Sequence, residues 1–107
     1  MASFYKNAKV DLTTTDVTTL YTAPAATTAI FKSLLVADDS GSTSTITVTI
    51  TDSAAAVFVV YNVKATVANA TVELVTQPLV VQESEVLKVT AANANRLHVI
   101  GSYLEIT

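Results

Sequence analysis

The sequence predicts an all-β protein, an antiparallel β-sandwich of about eight strands in a jelly-roll or immunoglobulin-like order. Three observations carry this reading. Thr and Val are abundant, and β-branched residues favour strands over helices. No stretch keeps an apolar period of 3.6, whereas several alternate with a period of 2. Turn-forming clusters interrupt the chain at short, regular spacing, as in a sandwich or jelly roll.

Lys9 to Thr13 and Val17 to Thr22 are short, alternating and Thr-rich. Pro24 cannot donate to a sheet ladder, so Ala23-Pro24-Ala25-Ala26 breaks the chain after the second strand. Ala29 to Ala37 is longer and apolar on both faces, as a central strand would be. Asp38-Asp39-Ser40-Gly41-Ser42 is a turn cluster. Ser44 to Asp52 gives the clearest alternation, with Ile46, Val48 and Ile50 on one face and Thr45, Thr47, Thr49 and Thr51 on the other. Ala54-Ala55-Ala56 is too short to make a helix. Val57 to Asn62 is again apolar on both faces. Thr66 to Thr76 alternates around a turn at Ala68-Asn69-Ala70, and Leu79 to Val81 is a short piece after Pro78. Glu83-Ser84-Glu85 turns into Val86 to Ala91, and Asn93-Ala94-Asn95-Arg96 turns into Leu97 to Ile106.

At 107 residues the chain fits one domain, expected over residues 9–107, with residues 1–8 as an extended arm. Phe4 and Tyr5 are large side chains to leave in water, so they are expected to dock on this chain or a neighbour. The N-terminal residues carry no apolar run of the kind a signal peptide needs, and no window approaches a membrane-spanning helix. Synthesis in the cytoplasm, without secretion by a signal peptide and without a membrane partner, is the expectation.

Few residues carry a pattern that points to chemistry. With no Cys, neither disulfides nor thiolate metal sites can form. His98, the single histidine, sits in an alternating strand without a nucleophile-elbow pattern nearby, which favours a structural or surface role over catalysis. Asp38 and Asp39 do not have EF-hand spacing and read as turn residues. Glu83 and Glu85 read as like charges in a solvated turn. Lys6, Lys9, Lys32, Lys64, Lys88 and Arg96 form no cluster, so no nucleic-acid footprint is present. Gly41 and Gly101 are too few for a phosphate-cradling loop. Tyr5, Tyr21, Tyr61 and Tyr103 are scattered, as core or interface residues would be. The expectation is a non-enzyme with no catalytic residues, cofactor or metal.

The surface suggests what the chain does instead. Charged residues make up 14% of it, against about 25% in ordinary soluble domains. Such a surface is either a neutral, Thr-coated exterior or one meant to touch protein. The stretch from Thr43 to Thr51 sharpens the choice. It holds no charge, Pro or Gly, and natural sheet edges are usually blunted by Lys, Pro or bulges. Either this strand is interior or another chain covers it. Thr45, Thr47 and Thr49, with Phe4 and Tyr5 of the arm, are the candidate interface residues.

Leu20-Tyr21-Thr22-Ala23-Pro24-Ala25, followed by Ile30-Phe31-Lys32-Ser33-Leu34-Leu35-Val36-Ala37-Asp38, resembles the opening of small β-sandwich structural proteins of tailed bacteriophage virions. Thr71-Val72-Glu73-Leu74, Pro78-Leu79-Val80-Val81, Leu87-Lys88-Val89 and the ending Gly101-Ser102-Tyr103-Leu104-Glu105-Ile106-Thr107 continue the likeness from Leu20 onward. Ala25-Ala26-Thr27 departs from it, since similar chains often place a Gly after the Pro-Ala turn. The resemblance implies a virion location. Proteins of this kind serve as capsid decoration (cement) proteins or as parts of tails, fibres and baseplates. The expectation taken forward is a decoration protein that acts as a homo-oligomer, with a trimer expected, on the major capsid protein or another virion protein. A tail, baseplate or fibre component is the alternative within that group. A carbohydrate-binding module is the alternative outside it, and would require an exposed aromatic pair.

Overall fold

The computed structural model describes residues 2–107. Nine strands follow in order: β1 (Ser3–Leu12), β2 (Thr18–Thr22), β3 (Thr28–Asp38), β4 (Thr45–Thr51), β5 (Val57–Ala65), β6 (Thr71–Val75), β7 (Leu79–Val81), β8 (Val86–Ala91) and β9 (Leu97–Ile106). They build two antiparallel sheets packed as a β-sandwich. One has the order β1-β9-β3-β6, with β7 pairing the other half of β3, and the second has the order β2-β8-β4-β5. The chain changes sheet at each step from β1 to β4, so apart from the β4–β5 hairpin, sheet neighbours come from distant parts of the sequence. An immunoglobulin-like order would keep its first two strands in one sheet. The observed order is that of a jelly roll, with its sixth strand split into β6 and β7.

Period-2 alternation fills the space between the sheets. On β9, Leu97, Val99, Gly101, Tyr103 and Glu105 point inward and are buried. Ile46 and Val48 of β4 and Leu87, Val89 and Ala91 of β8 meet them from the other sheet. Each fully buried Leu, Val or Phe contributes about 1.5–3 kcal/mol. β3 is less simple. It pairs Phe31 with Tyr103 and Ser33 with Ser102, leaving Lys32 as an extra residue. This bulge switches the inward phase, so that Ala29 and Phe31 point inward before it and Leu34 and Val36 after it. That phase change, as much as centrality, makes the segment read as apolar on both faces.

Phe31, Tyr21 and Tyr103 form an aromatic cluster, with centroids 4.8 Å apart for Phe31 and Tyr103 and 5.4 Å for Phe31 and Tyr21. Gly101 makes room for it. A Cβ at Gly101 would lie 2.7 Å from Cε2 of Phe31. A glycine inside a strand often marks such a close approach.

Residues 1–8, expected as an arm, are not separate from the domain. Met1 lies outside the described residues. From Ser3 the chain is already in β1, which runs unbroken through Ala8 and Lys9 and pairs with β9 from Ser3 opposite Ile106 to Leu12 opposite Leu97. Lys6 on the inner face disguises the strand, because it interrupts the alternation that Phe4, Ala8, Val10 and Leu12 otherwise supply. Deleting residues 1–8 is therefore expected to strip half of an edge strand and lower the melting temperature by several degrees at about 4–8 °C per kcal/mol lost. Thermal denaturation followed by circular dichroism checks this, and an unchanged midpoint would show that this half of β1 adds nothing to the fold.

Candidate interaction surface

Each sheet ends in strands with one unpaired side. β1 carries Lys6, Lys9 and Asp11 along its length, the kind of charge that discourages edge pairing. β2 is short and bulged at Leu20. β5 is different. It reads Val57-Phe58-Val59-Val60-Tyr61-Asn62-Val63-Lys64-Ala65. Val57, Phe58, Val59 and Val63 are all more than half exposed. Lys64 is the one charged residue between Asp52 and Glu73. The sequence shows Val57 to Asn62 as apolar on both faces, which suits a buried strand, yet this strand lies at the rim.

The geometry of β5 explains its exposure. Val57, Phe58 and Val59 pair in step with Thr51, Ile50 and Thr49, but Tyr61 pairs with Val48 and Lys64 with Ile46, so the remainder is bulged twice. Val63 has a φ of 50°, a conformation β-branched residues avoid at a cost of about 1–3 kcal/mol. Its N–H donates to Thr47 Oγ1 at 3.1 Å, which helps hold the distortion. The Tyr61 hydroxyl donates to the Leu74 carbonyl, tying β5 to β6 across the sheets. Beside this tie the sandwich opens into a cleft bordered by Val60, Tyr61, Val75, Gln77 and Leu79, and further along the rim a second lies between Ile50, Phe58, Val80, Gln82 and Glu85. Val80 and Val67 add exposed apolar surface on neighbouring segments.

β4 lies between β8 and β5, so the uncharged stretch from Thr43 to Thr51 is interior. Of the two options the sequence leaves for it, this one holds, and the exposed apolar edge is one strand further out. Thr45, Thr47 and Thr49 lie half-buried on the outer face of that sheet. Phe4 and Tyr5 are exposed at the start of β1 in the other sheet. Tyr5 faces outward from that second sheet, so the five candidate residues do not form one patch. Phe4 and Tyr5 are consecutive in a strand and point to opposite sides, which is not the flat pair a sugar ring stacks on.

Several ionisable groups are bonded into the fold. Glu105 is buried and accepts hydrogen bonds from Lys6 Nζ at 2.9 Å and Tyr21 Oη at 2.7 Å. These two bonds hold its carboxyl below the usual range for glutamate. Burial pushes the phenols of Tyr21 and Tyr103 up, and Glu105 pushes them further. Lys6 is raised in turn by its bond to Glu105. Sequence reasoning missed this network, although Glu105 occupies an inward position of β9 by simple alternation.

Asp38 is buried, and one carboxylate oxygen accepts from Ser40 N at 3.0 Å and Ser40 Oγ at 2.8 Å. This is the turn role the sequence assigns it. Asp39 points away, toward His98. The imidazole lies on the outer face of β9, with Nε2 3.2 Å from Asp11 and Nδ1 3.9 Å from Asp39. Glu85 accepts from the Gln82 N–H at 2.7 Å within its turn. Among the described residues, no group of three or more His, Asp or Glu side chains converges as a metal site. What the arrangement offers is an apolar, weakly charged edge and faces of Thr, suited to contact with protein. No protein-family model and no curated protein matches this chain.

Proposed function

We propose that the chain is a structural protein of a bacteriophage virion, a capsid decoration protein that stabilises the shell through contacts between subunits. The observation that carries this reading is the apolar β5 edge, where Val57, Phe58, Val59 and Val63 stand exposed with no charge except Lys64 and with the pairing-competent half from Val57 to Val59 free of bulges. A lone soluble domain with such an edge risks uncontrolled pairing. A subunit made to be covered does not. The 14% charge content and the resemblance from Leu20 onward support the same reading. The jelly roll is shared by capsid and lectin domains, so the fold alone does not choose between them. The separated directions of Phe4 and Tyr5 favour protein contact over sugar stacking.

The mechanism is mechanical. Each copy removes apolar and Thr-rich surface from water where shell subunits meet. A modest interface per copy suffices, because many copies act on one closed shell. The chain is made in the host cytoplasm and ends in the virion, with other copies of itself and a capsid subunit as partners.

Counting this chain in purified particles by quantitative mass spectrometry, with cryo-electron microscopy to locate it, tests the proposal. Many copies spread over the shell are expected. A few copies at one vertex would replace the decoration reading with a tail or baseplate component. Absence from particles would overturn both.

A further inference from the structure

Building on the assembly reading above, we propose that the occupant of the β5 edge is β5 of a second copy of this chain, paired antiparallel about a two-fold axis. The edge is complementary to itself. Its centre, Val57 to Tyr61, holds no charge. One end carries the cation Lys64. The other end is the turn from Asp52 to Ala56, in which the Asp52 carboxylate accepts from the N–H groups of Ala54 and Ala56 at 2.9 Å each. An antiparallel register that lays Val57 opposite the partner's Tyr61 lays Val59 opposite the partner's Val59. It also lays Lys64 opposite the partner's Ala54, inside the turn that carries the negative charge. Moving the register by a residue or two keeps Lys64 within that turn. Symmetry then makes the same match at both ends, as an isologous interface requires.

The long β1 edge fits β5 less well, and β2 and β7, at five and three residues, offer shorter ladders. β1 presents Lys6 and Lys9, which would meet the rim with charge against apolar surface. In the β5 pair, the backbone groups of both rims gain hydrogen bonds, and exposed valines from both copies cover each other. The bulges at Val60 and around Asn62 and Val63 limit how far the pairing can spread. Two four-stranded sheets would join into one, and each copy has a single β5, so the assembly closes at two.

The absence of cysteine makes a direct test clean. Directly opposed residues of an antiparallel pair have Cα atoms about 4.5–5.5 Å apart, within disulfide range. Val59→Cys is expected to form a covalent dimer under mild oxidation, and Val57→Cys to do so far less. In analytical ultracentrifugation, the unmodified chain is expected to reach a dimer as concentration rises. Val59→Lys, which changes an exposed side chain, is expected to stay monomeric at the same concentrations with unchanged circular dichroism and melting temperature. A trimer, a chain monomeric throughout, or a dimer that survives Val59→Lys would overturn the proposal. Particle occupancy reports separately on function. A monomeric chain that still coats particles would end the β5 pair and leave the decoration role standing. A β5 dimer absent from particles would do the reverse.

Discussion

Replacing Gly101 with alanine is expected to cost about 2 kcal/mol, and with valine more, because both overfill the aromatic centre of the core. For a domain of this size, 2 kcal/mol is a fall in melting temperature of roughly 10 °C. A Cβ there would sit 2.7 Å from Cε2 and 3.0 Å from Cδ2 of Phe31, and 3.3 Å from Cδ1 of Leu34. Phe31 cannot easily retreat, being fully buried and held between Tyr103 and Tyr21. The opposing effect is small. A strand gains about 0.5–1 kcal/mol when glycine becomes alanine, from the lower entropy of the unfolded chain. Thermal and urea unfolding of Gly101→Ala measure the balance. The mechanism also predicts a rescue. Phe31→Leu shortens the ring that is struck, so the double variant should be more stable than the sum of the two single effects by over about 0.5 kcal/mol. A Gly101→Ala protein that melts at or above the parent temperature would refute the steric account.

Acid is expected to weaken the fold through Glu105. Its folded pKa lies below its unfolded value because Lys6 and Tyr21 both donate to the carboxylate. Between the two values the unfolded chain binds more protons than the folded one, so stability rises with pH in that window. The contribution is whole above the ordinary glutamate value of 4.5 and drains away as the pH falls through the lower folded value. Stability measured by urea unfolding from pH 7 to pH 3 should decline on this acid limb, and Glu105→Gln should flatten it. Tyr21→Phe removes one of the two bonds and is expected to cost about 2 kcal/mol at neutral pH. An acid limb of equal steepness in Glu105→Gln would show that other carboxylates set it.

The sequence exposes the strands well and their surroundings poorly. Ile46, Val48 and Ile50 alternate cleanly with threonines, and β4 falls where that pattern puts it. The turns at Asp38 to Ser42 and Glu83 to Glu85 are legible from residues that bond their own backbone, as Asp38 does through Ser40. β1 is harder to see, because Lys6 occupies an inner position, where it bonds Glu105, and breaks the apolar alternation of its face. β5 misleads for a physical reason. Alternation reports how many faces of a strand are dry, but not whether the covering comes from this chain or another. Val57, Phe58 and Val59 therefore look like core residues in the sequence and stand at the rim in the structure. Edge position is a property of strand order, which depends on long-range pairing that local pattern does not encode.

The order of the strands also has a consequence for the nascent protein. β9 leaves the ribosome after the other eight strands, yet it is the strand wedged between β1 and β3. Among the described strands β1 has no other partner in its sheet, so it must wait unpaired until β9, far along the sequence, has been made. Closure of so long a loop is slow relative to local hairpin formation. Until β9 arrives, the apolar side chains that β1 turns toward the other sheet, Ala8, Val10 and Leu12, have no strand beside them in their own sheet.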